Sequence, residues 1–460
     1  MLPKALAALT VCLSVCSWAD EIPTWPEAPV ERIDVQHGFA GQPAVTIEND
    51  GKMASYPYQL DAAPLILQTV HFEGEVQIAS GANVALNAFV VARRGRSPLD
   101  FANLVEHPIT SVQSGWVPFV VELVVPPTSQ TVDVGFSVTG KGLVNVRRIA
   151  IRSATVPAGP LAPEVEAYLL EALQNMRHSS LKQNSVDWDQ LRDYALIKAQ
   201  HAQHSSDTYD ALRLALRLVD DHHSRLLVPE EVQQLMSASV VHPPEVKLTS
   251  DGIATLTIPA FDGLSARSAR NYMKAAAAPL AHAAPSAGCG WVIDLRADSG
   301  GDMWPMLGVL APFFKSGKLG AFNYLDHVDA WQLQHGVLFD GSTARVTTLK
   351  PSATLQHAKL AVLVGASTTS AGEALAIALH GRPDTRFFGE ATGGLATSND
   401  FDLLADGAVL LVTAAVDADR YGMIFADRLV PDELVARTNS DPKDEAMLAA
   451  RSWLLAQCNH

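Results

Sequence analysis

Cysteine is scarce in this chain: four residues in 460. Two of them, Cys12 and Cys16, lie in an N-terminal stretch that reads as removable. Cys289 and Cys458 remain, able to form one disulfide or to stay as two buried thiols. No Cys/His cluster has the spacing of a zinc site. Asp220, Asp221, His222 and His223 are the nearest thing to a metal cluster, and adjacent histidines chelate one ion poorly, so no metal and no cofactor are expected. Beyond the N-terminus no segment reaches the ~20 apolar residues of a membrane span, and there are no internal repeats or low-complexity tracts. Positive charge is short, with 34 Lys and Arg against 49 Asp and Glu and a formal net charge of -15. That balance argues against nucleic acid and anionic membrane surfaces as partners. Hydrophobic residues make up 48% and charged residues 18%, the profile of a folded protein rather than a disordered one. A chain of this length exceeds one core, so two or three domains are expected.

Residues 1–19 carry Lys4, the apolar run Ala5–Val15 and the small-x-small end Ser17-Trp18-Ala19, the pattern of a secretory signal peptide. The expected location is therefore exported, periplasmic or secreted. Cys16 follows Leu13-Ser14-Val15, a poor lipoprotein box because Val15 is bulky, and a lipid anchor there is the lesser alternative. Residues 20–156 are rich in short β signals: Leu65–Val70, Asn83–Ala92, Val117–Val125, Val132–Val138 and Arg148–Ile151, separated by Gly, Pro, Ser and Asn. This predicts an all-β sandwich or jelly-roll domain. Gly115-Trp116 with Gly140-Lys141-Gly142 weakly resembles carbohydrate-binding jelly rolls. A carbohydrate contact and a spacer role without ligand both stay open. Val156–Pro163 reads as a Pro-rich linker. Helical patterns over Glu164–Arg177, Trp188–Gln203 and Ser206–Val219 predict a helical subdomain over 157–235, with Asp187 placed to cap its second helix. Residues 236–460 form the remaining core, opening with a strand at Gly252–Pro259 and a helix at Ser265–Ala284, and closing with a helix entered through Asp441-Pro442.

Two stretches organise the core. Gly290–Phe314 and Ala361–Gly394 each begin with a short apolar run that reads as a buried strand. Each then passes through small residues into a helical pattern. Backbone N–H groups gather at such a helix N-terminus and favour negative charge. One loop offers the hydroxyl of Ser370; the other offers Gly300-Gly301, whose amides no side chain screens. A nucleophile beside free backbone donors is what acyl transfer requires. The competing reading of Ser370-x-x-Glu373 is a helix capping box.

The sequences DLRADSGGD, TTSAGE and GEATGG tip the reading towards the nucleophile. They resemble, in order and spacing, the DLR-x-N-x-GG, T-A-S-A-x-E and G-E-x-T-x-G motifs of the carboxy-terminal processing (tail-specific) serine peptidases. The resemblance covers roughly the C-terminal half. It implies a crotonase-like (ClpP/crotonase) α/β core and peptide or protein substrates. The segment between Val228 and Thr249 has no room for the PDZ domain many members insert there.

In that light Ser370 is the expected nucleophile, with the amides of Gly301 and Ala371 holding the oxyanion. Asp220–Leu226 resembles the family's D-G-H-S segment, which makes His223 the expected base. In the branch typified by the tricorn core a serine precedes the histidine; here His222 does, and Ser224 follows, so the supporting hydroxyl is not identified. The lysine of the other branch falls at Leu395, and no lysine occurs between Lys359 and Lys443. For the orienting acid, the resemblance points near the closing Pro431-Asp432 motif, where Asp427 and Asp419 lie; Asp427 is taken as the candidate, and Glu373 and Glu390 are the alternatives, for which a structural role also stays open. Asp294 and Arg296 are expected to brace the Gly-Gly loop. The reading is an exported serine endopeptidase. The alternative is a family member without catalysis that binds a glycan, lipid or protein.

Overall fold

A computed structural model describes residues 45–80, 83–110, 115–155, 159–237, 242–263, 265–350, 352–436 and 444–458. The expected signal peptide, Cys12, Cys16 and the Asp441-Pro442 helix start lie outside them. The chain divides into two compact units, Met1–Pro157 and Ala158–His460.

The first unit is all β. Its strands are β1 (Val45–Asp61), β2 (Gln68–Ser80), β3 (Ala85–Arg94), β4 (Ser97–Asn103), β5 (Ile109–Thr110), β6 (Val117–Val124) and β7 (Thr131–Thr155). Two departures from expectation have local causes. Leu65 ends a 3-10 turn begun at Ala63 with Pro64 inside it, and Leu67 takes a positive φ of 61°, so the strand starts only at Gln68. The separate runs near Val132 and Arg148 are one strand of 25 residues. Its first half pairs with β3 and its second with β2, while β1 pairs with it from Thr131 to Val146. Gly140, at φ 77°, lies where the partner changes. Side chains from both halves meet inside, where Phe72 of β2 lies 5.1 Å from Phe136 of β7 and 5.2 Å from Phe119 of β6.

The second unit opens with helices α1 (Pro163–Ser179), α2 (Trp188–Lys198) and α3 (Tyr209–Val219). Asp187 caps α2 by accepting the Gln190 N–H at 3.0 Å. After β8 (Arg225–Leu227) come α4 (Pro229–Ser237), β9 (Glu245–Leu248), β10 (Ile253–Thr257), α5 (Ala266–Ala283), β11 (Gly290–Asp294) and α6 (Met303–Leu310). The chain continues through β12 (Gly317–Asn323), β13 (Val328–Gln334), β14 (Val337–Asp340), β15 (Thr343–Thr347), α7 (Ala353–Gln356), β16 (Leu360–Val364) and α8 (Ala371–Leu379). It ends with β17 (Thr385–Gly389), β18 (Thr397–Leu403), β19 (Val409–Asp419), β20 (Glu433–Leu434) and α9 (Glu445–Cys458).

One sheet runs β20-β17-β16-β11-β10-β9, parallel except for β9. Its central strands are buried on both faces, which is why they read as continuous apolar runs rather than alternating ones. Trp291, Ile293, Val362 and Val364 pack with residues of α5, α6 and α8; Val292, Ala361 and Leu363 pack with Ala450 and Leu454 of α9. Cys289 and Cys458 form a disulfide that ties the end of α9 to the entry of β11. The other sheet runs β15-β14-β13-β12-β19-β18 and is antiparallel, with β8 added beside β19. That three-residue addition binds the helical segment to the core: Leu226 pairs with Leu410, while Tyr168 and Tyr209 donate to Asp406 at 3.0 and 2.7 Å.

Candidate active site

β11 and β16 are parallel neighbours, with Asp294 opposite Leu363. The loops leaving their carboxyl ends therefore emerge side by side, the place where open α/β sheets bind ligands. Hydrogen bonds join the two loops. Thr369 N–H donates to Asp298 O at 3.1 Å, Thr369 Oγ1 to Ser299 O at 2.9 Å, and Thr368 Oγ1 to Leu295 O at 2.9 Å. A Cβ on Gly300 would sit 2.9 Å from Ser370 Cβ and 3.3 Å from its Oγ, so only glycine lets the loops approach this closely.

Ser370 is the residue before α8 and holds φ 54°, ψ -119°. An L-residue there stores roughly 1–3 kcal/mol, and such strain at a strand-to-helix turn is how a nucleophile is presented at the head of a sheet. The strain is held in place by Glu373. This carboxylate is 0% exposed and accepts four hydrogen bonds: Ser370 N–H at 3.1 Å, Thr392 Oγ1 at 2.5 Å, Gly394 N–H at 2.9 Å and Leu395 N–H at 2.6 Å. Glu373 thus joins the nucleophile turn to the GEATGG segment, and Leu395 contributes its amide where the other branch has a lysine. Ala371 begins α8, so its N–H belongs to the first turn, which has no intrahelical acceptor. Phe261 N–H bonds Gly300 O and Asp302 N–H bonds Phe261 O, which leaves the intervening Gly301 amide directed away from Phe261.

His223 arrives from the helical segment. Asp220 ends α3 with φ 61° and His222 follows at φ 62°, turning the chain sharply into β8. Asp221 fixes the turn by accepting the N–H groups of His223 (3.1 Å) and Ser224 (2.8 Å). Ser224 Oγ is used between Asp221 and the Thr413 amide, so it does not support the imidazole. The supporting hydroxyl comes from Thr397: its Oγ1 lies 2.7 Å from His223 Nδ1. Burial holds the His223 pKa below the ordinary histidine value, with Arg225 acting the same way and Asp221 opposing.

His223, Ser370, Gly301 and Ala371 line one cavity of about 530 Å³, together with Thr397, Trp304 and Asp417. Four of the five residues singled out in the sequence thus converge. Asp427 does not line it. Asp427 is exposed and accepts the Arg428 N–H, while the His223 nitrogen that would face an acid meets Thr397. Asp419 is also elsewhere, bonded to His380 Nδ1 at 2.8 Å. Among the described lining residues there is no lysine. Arg296 bridges Asp294 to Asp444, which accepts the Met447 N–H at the start of α9, so this pair braces the C-terminal helix. The Gly-Gly loop is braced instead by Asp298, which accepts the Gly300 N–H at 3.0 Å. Burial raises the Asp298 pKa to about 7. Among the described residues no group of three or more His, Cys, Asp or Glu could hold a metal ion.

Sequence reading missed Thr397 and Asp417. Thr397 sits three residues past Gly394, just beyond the GEATGG motif. Asp417 is one of two acids, with Asp419, at the end of the apolar run of β19, and a charge in a buried strand was its available signal.

A strained serine, a histidine and the residues Gly301 and Ala371 share one cavity, and the comparisons point to the same class of protein: the model of Peptidase family S41 matches residues 252–435. The chain is 26% identical over 300 residues to the nisin-resistance protein of Lactococcus lactis subsp. lactis, covering 64% of this chain and 88% of that one. Among solved structures, a lipoprotein from Streptococcus agalactiae superposes with a TM-score of 0.55 at 23% identity, over 66% of this chain and all of that one, and shares the fold. A second solved structure, a peptidase-like protein from Parabacteroides merdae, superposes with a TM-score of 0.44 at 20% identity, over 64% of this chain and 97% of that one.

Proposed function

We propose that this protein is an exported serine endopeptidase with a crotonase-like core, acting through an acyl-enzyme on Ser370. The observation that carries the reading is the shared cavity of Ser370 and His223 with the Gly301 and Ala371 amides. In this mechanism His223 Nδ1–H donates to Thr397, which leaves Nε2 free to take the Ser370 proton. The low pKa of the buried imidazole keeps it unprotonated at neutral pH. The hydroxyl oxygen attacks the peptide carbonyl, and the two amides stabilise the developing oxyanion, a contribution of about 10²–10³ in rate per donor. His223 then protonates the leaving amine, and water, deprotonated by the same imidazole, releases the acyl group. Thr397 takes the orienting position that Asp427 was expected to fill. Having no charge, it stabilises the imidazolium less than a carboxylate does.

Export rests on the pattern of residues 1–19 and accords with the Cys289–Cys458 disulfide, which suits an oxidising compartment. The relative's name associates that protein with nisin resistance, which makes nisin a substrate worth assaying here. The reading is tested with Ser370→Ala, His223→Ala and their combination on peptide and ester substrates. Each single change should abolish nearly all turnover, and the double should be little worse, because the two act as one unit. Full turnover in His223→Ala would place the base elsewhere. A parent inert towards every substrate would favour the binding-protein alternative.

A further inference from the structure

We propose that Asp417 sets the specificity of this site by recognising a lysine or arginine side chain on the residue whose carbonyl Ser370 attacks. The proposal rests on the peptidase reading above. Asp417 lies near the end of β19, is 1% exposed, and lines the same cavity as Ser370. Neither of its carboxyl oxygens has a hydrogen-bond partner among the described residues. A buried carboxyl left unpaired is costly to a fold, and one that opens on a cavity is completed by what enters the cavity.

The surroundings fit a long cationic side chain. Ala371 and Ala374 of α8 and Phe322 of β12 supply apolar wall. The methylenes of lysine or arginine pack on such a surface while the charged end reaches a polar group. The cavity's charge points the same way. Asp340 is 6% exposed and holds Arg345 through one oxygen, while its other oxygen, Oδ1, has no partner. Asp262, Asp302 and Asp400 also line the cavity, against only Arg225 and Arg345. A concave surface so biased concentrates cations and repels acidic peptides. A neutral side chain of the same length would leave Asp417 unpaired, and a glutamate would add like charge, so both are disfavoured by construction.

The test reads binding rather than turnover. Ser370→Ala protein is titrated with short labelled peptides that differ at one position: lysine, arginine, the uncharged isostere norleucine, or glutamate. The position is scanned along the peptide and affinity is read by fluorescence anisotropy. At one position lysine and arginine should bind roughly tenfold or more tighter than norleucine, with glutamate weakest. Adding Asp417→Asn should bring lysine and norleucine close to equality. Should that variant not fold, Ala374→Leu, which fills the cavity wall, should erase the same preference. Equal affinity for lysine and norleucine at every position overturns the proposal, as does a preference that survives Asp417→Asn, or no peptide binding at all. The peptidase reading fails separately. A parent that cleaves peptides without regard to basic residues keeps that reading and sinks this one. A basic preference in a parent that cleaves nothing sinks the peptidase reading and, with it, the assignment of Asp417 to the residue at the scissile bond.

Discussion

The Nδ1 atom of His223 lies 2.7 Å from the Thr397 hydroxyl, across 174 residues of sequence. A neutral hydroxyl there can fix the ring's orientation and tautomer but adds no negative charge to stabilise an imidazolium. Thr397→Val should therefore lower kcat by roughly tenfold, the worth of one hydrogen bond, with KM little changed. Thr397→Ser should restore it, and Asp427→Asn should leave both parameters at parent values. Steady-state kinetics of the three variants checks this. A severe loss in Asp427→Asn would reinstate that acid.

The pH profile carries a sign. Only neutral His223 can accept a proton, and burial lowers its pKa. As pH falls, activity should persist below the ordinary histidine value of about 6.5 and be lost only as the displaced pKa is crossed. The acid limb of kcat/KM measures it directly. A limb midpoint above 6.5 would mean that a neighbouring anion, rather than burial, dominates the imidazole.

Glu373 should matter for stability before it matters for chemistry. Removing it leaves the Ser370, Gly394 and Leu395 amides and the Thr392 hydroxyl without their acceptor. Glu373→Ala should lower unfolding free energy by about 3 kcal/mol or more, read as a shift in denaturant midpoint. A midpoint near that of the parent would show that Glu373 does not organise the two turns.

What could be read from the chain follows its physics. The strands before Asp298 and Ser370 were legible because a strand buried on both faces is an unbroken apolar run, and the small residues after them have few other uses. Asp187 was legible because its cap is local. The course of β7 was not: Gly140 and Gly142 look like a turn, yet they sit within a strand that changes partners there. β1 was missed for a related reason, since Asn49-Asp50-Gly51 reads as a turn while the pairing only shifts register between Gly51 and Ala54. The delivery of His223 depends on Leu226 pairing with Leu410, a contact between a three-residue strand and one far along the chain, which no local pattern encodes. Thr397 and Asp417 gain their meaning only once that pairing has built the cavity.

The central claim is a reactive Ser370, and covalent labelling tests it most directly. Parent protein, Ser370→Ala and His223→Ala are treated with a fluorophosphonate, and the site is found by peptide mass mapping. One adduct is expected, on Ser370, in the parent, none on that peptide in Ser370→Ala, and strongly slowed labelling in His223→Ala. A parent that stays unlabelled while folded, or an adduct on another residue, would contradict the claim.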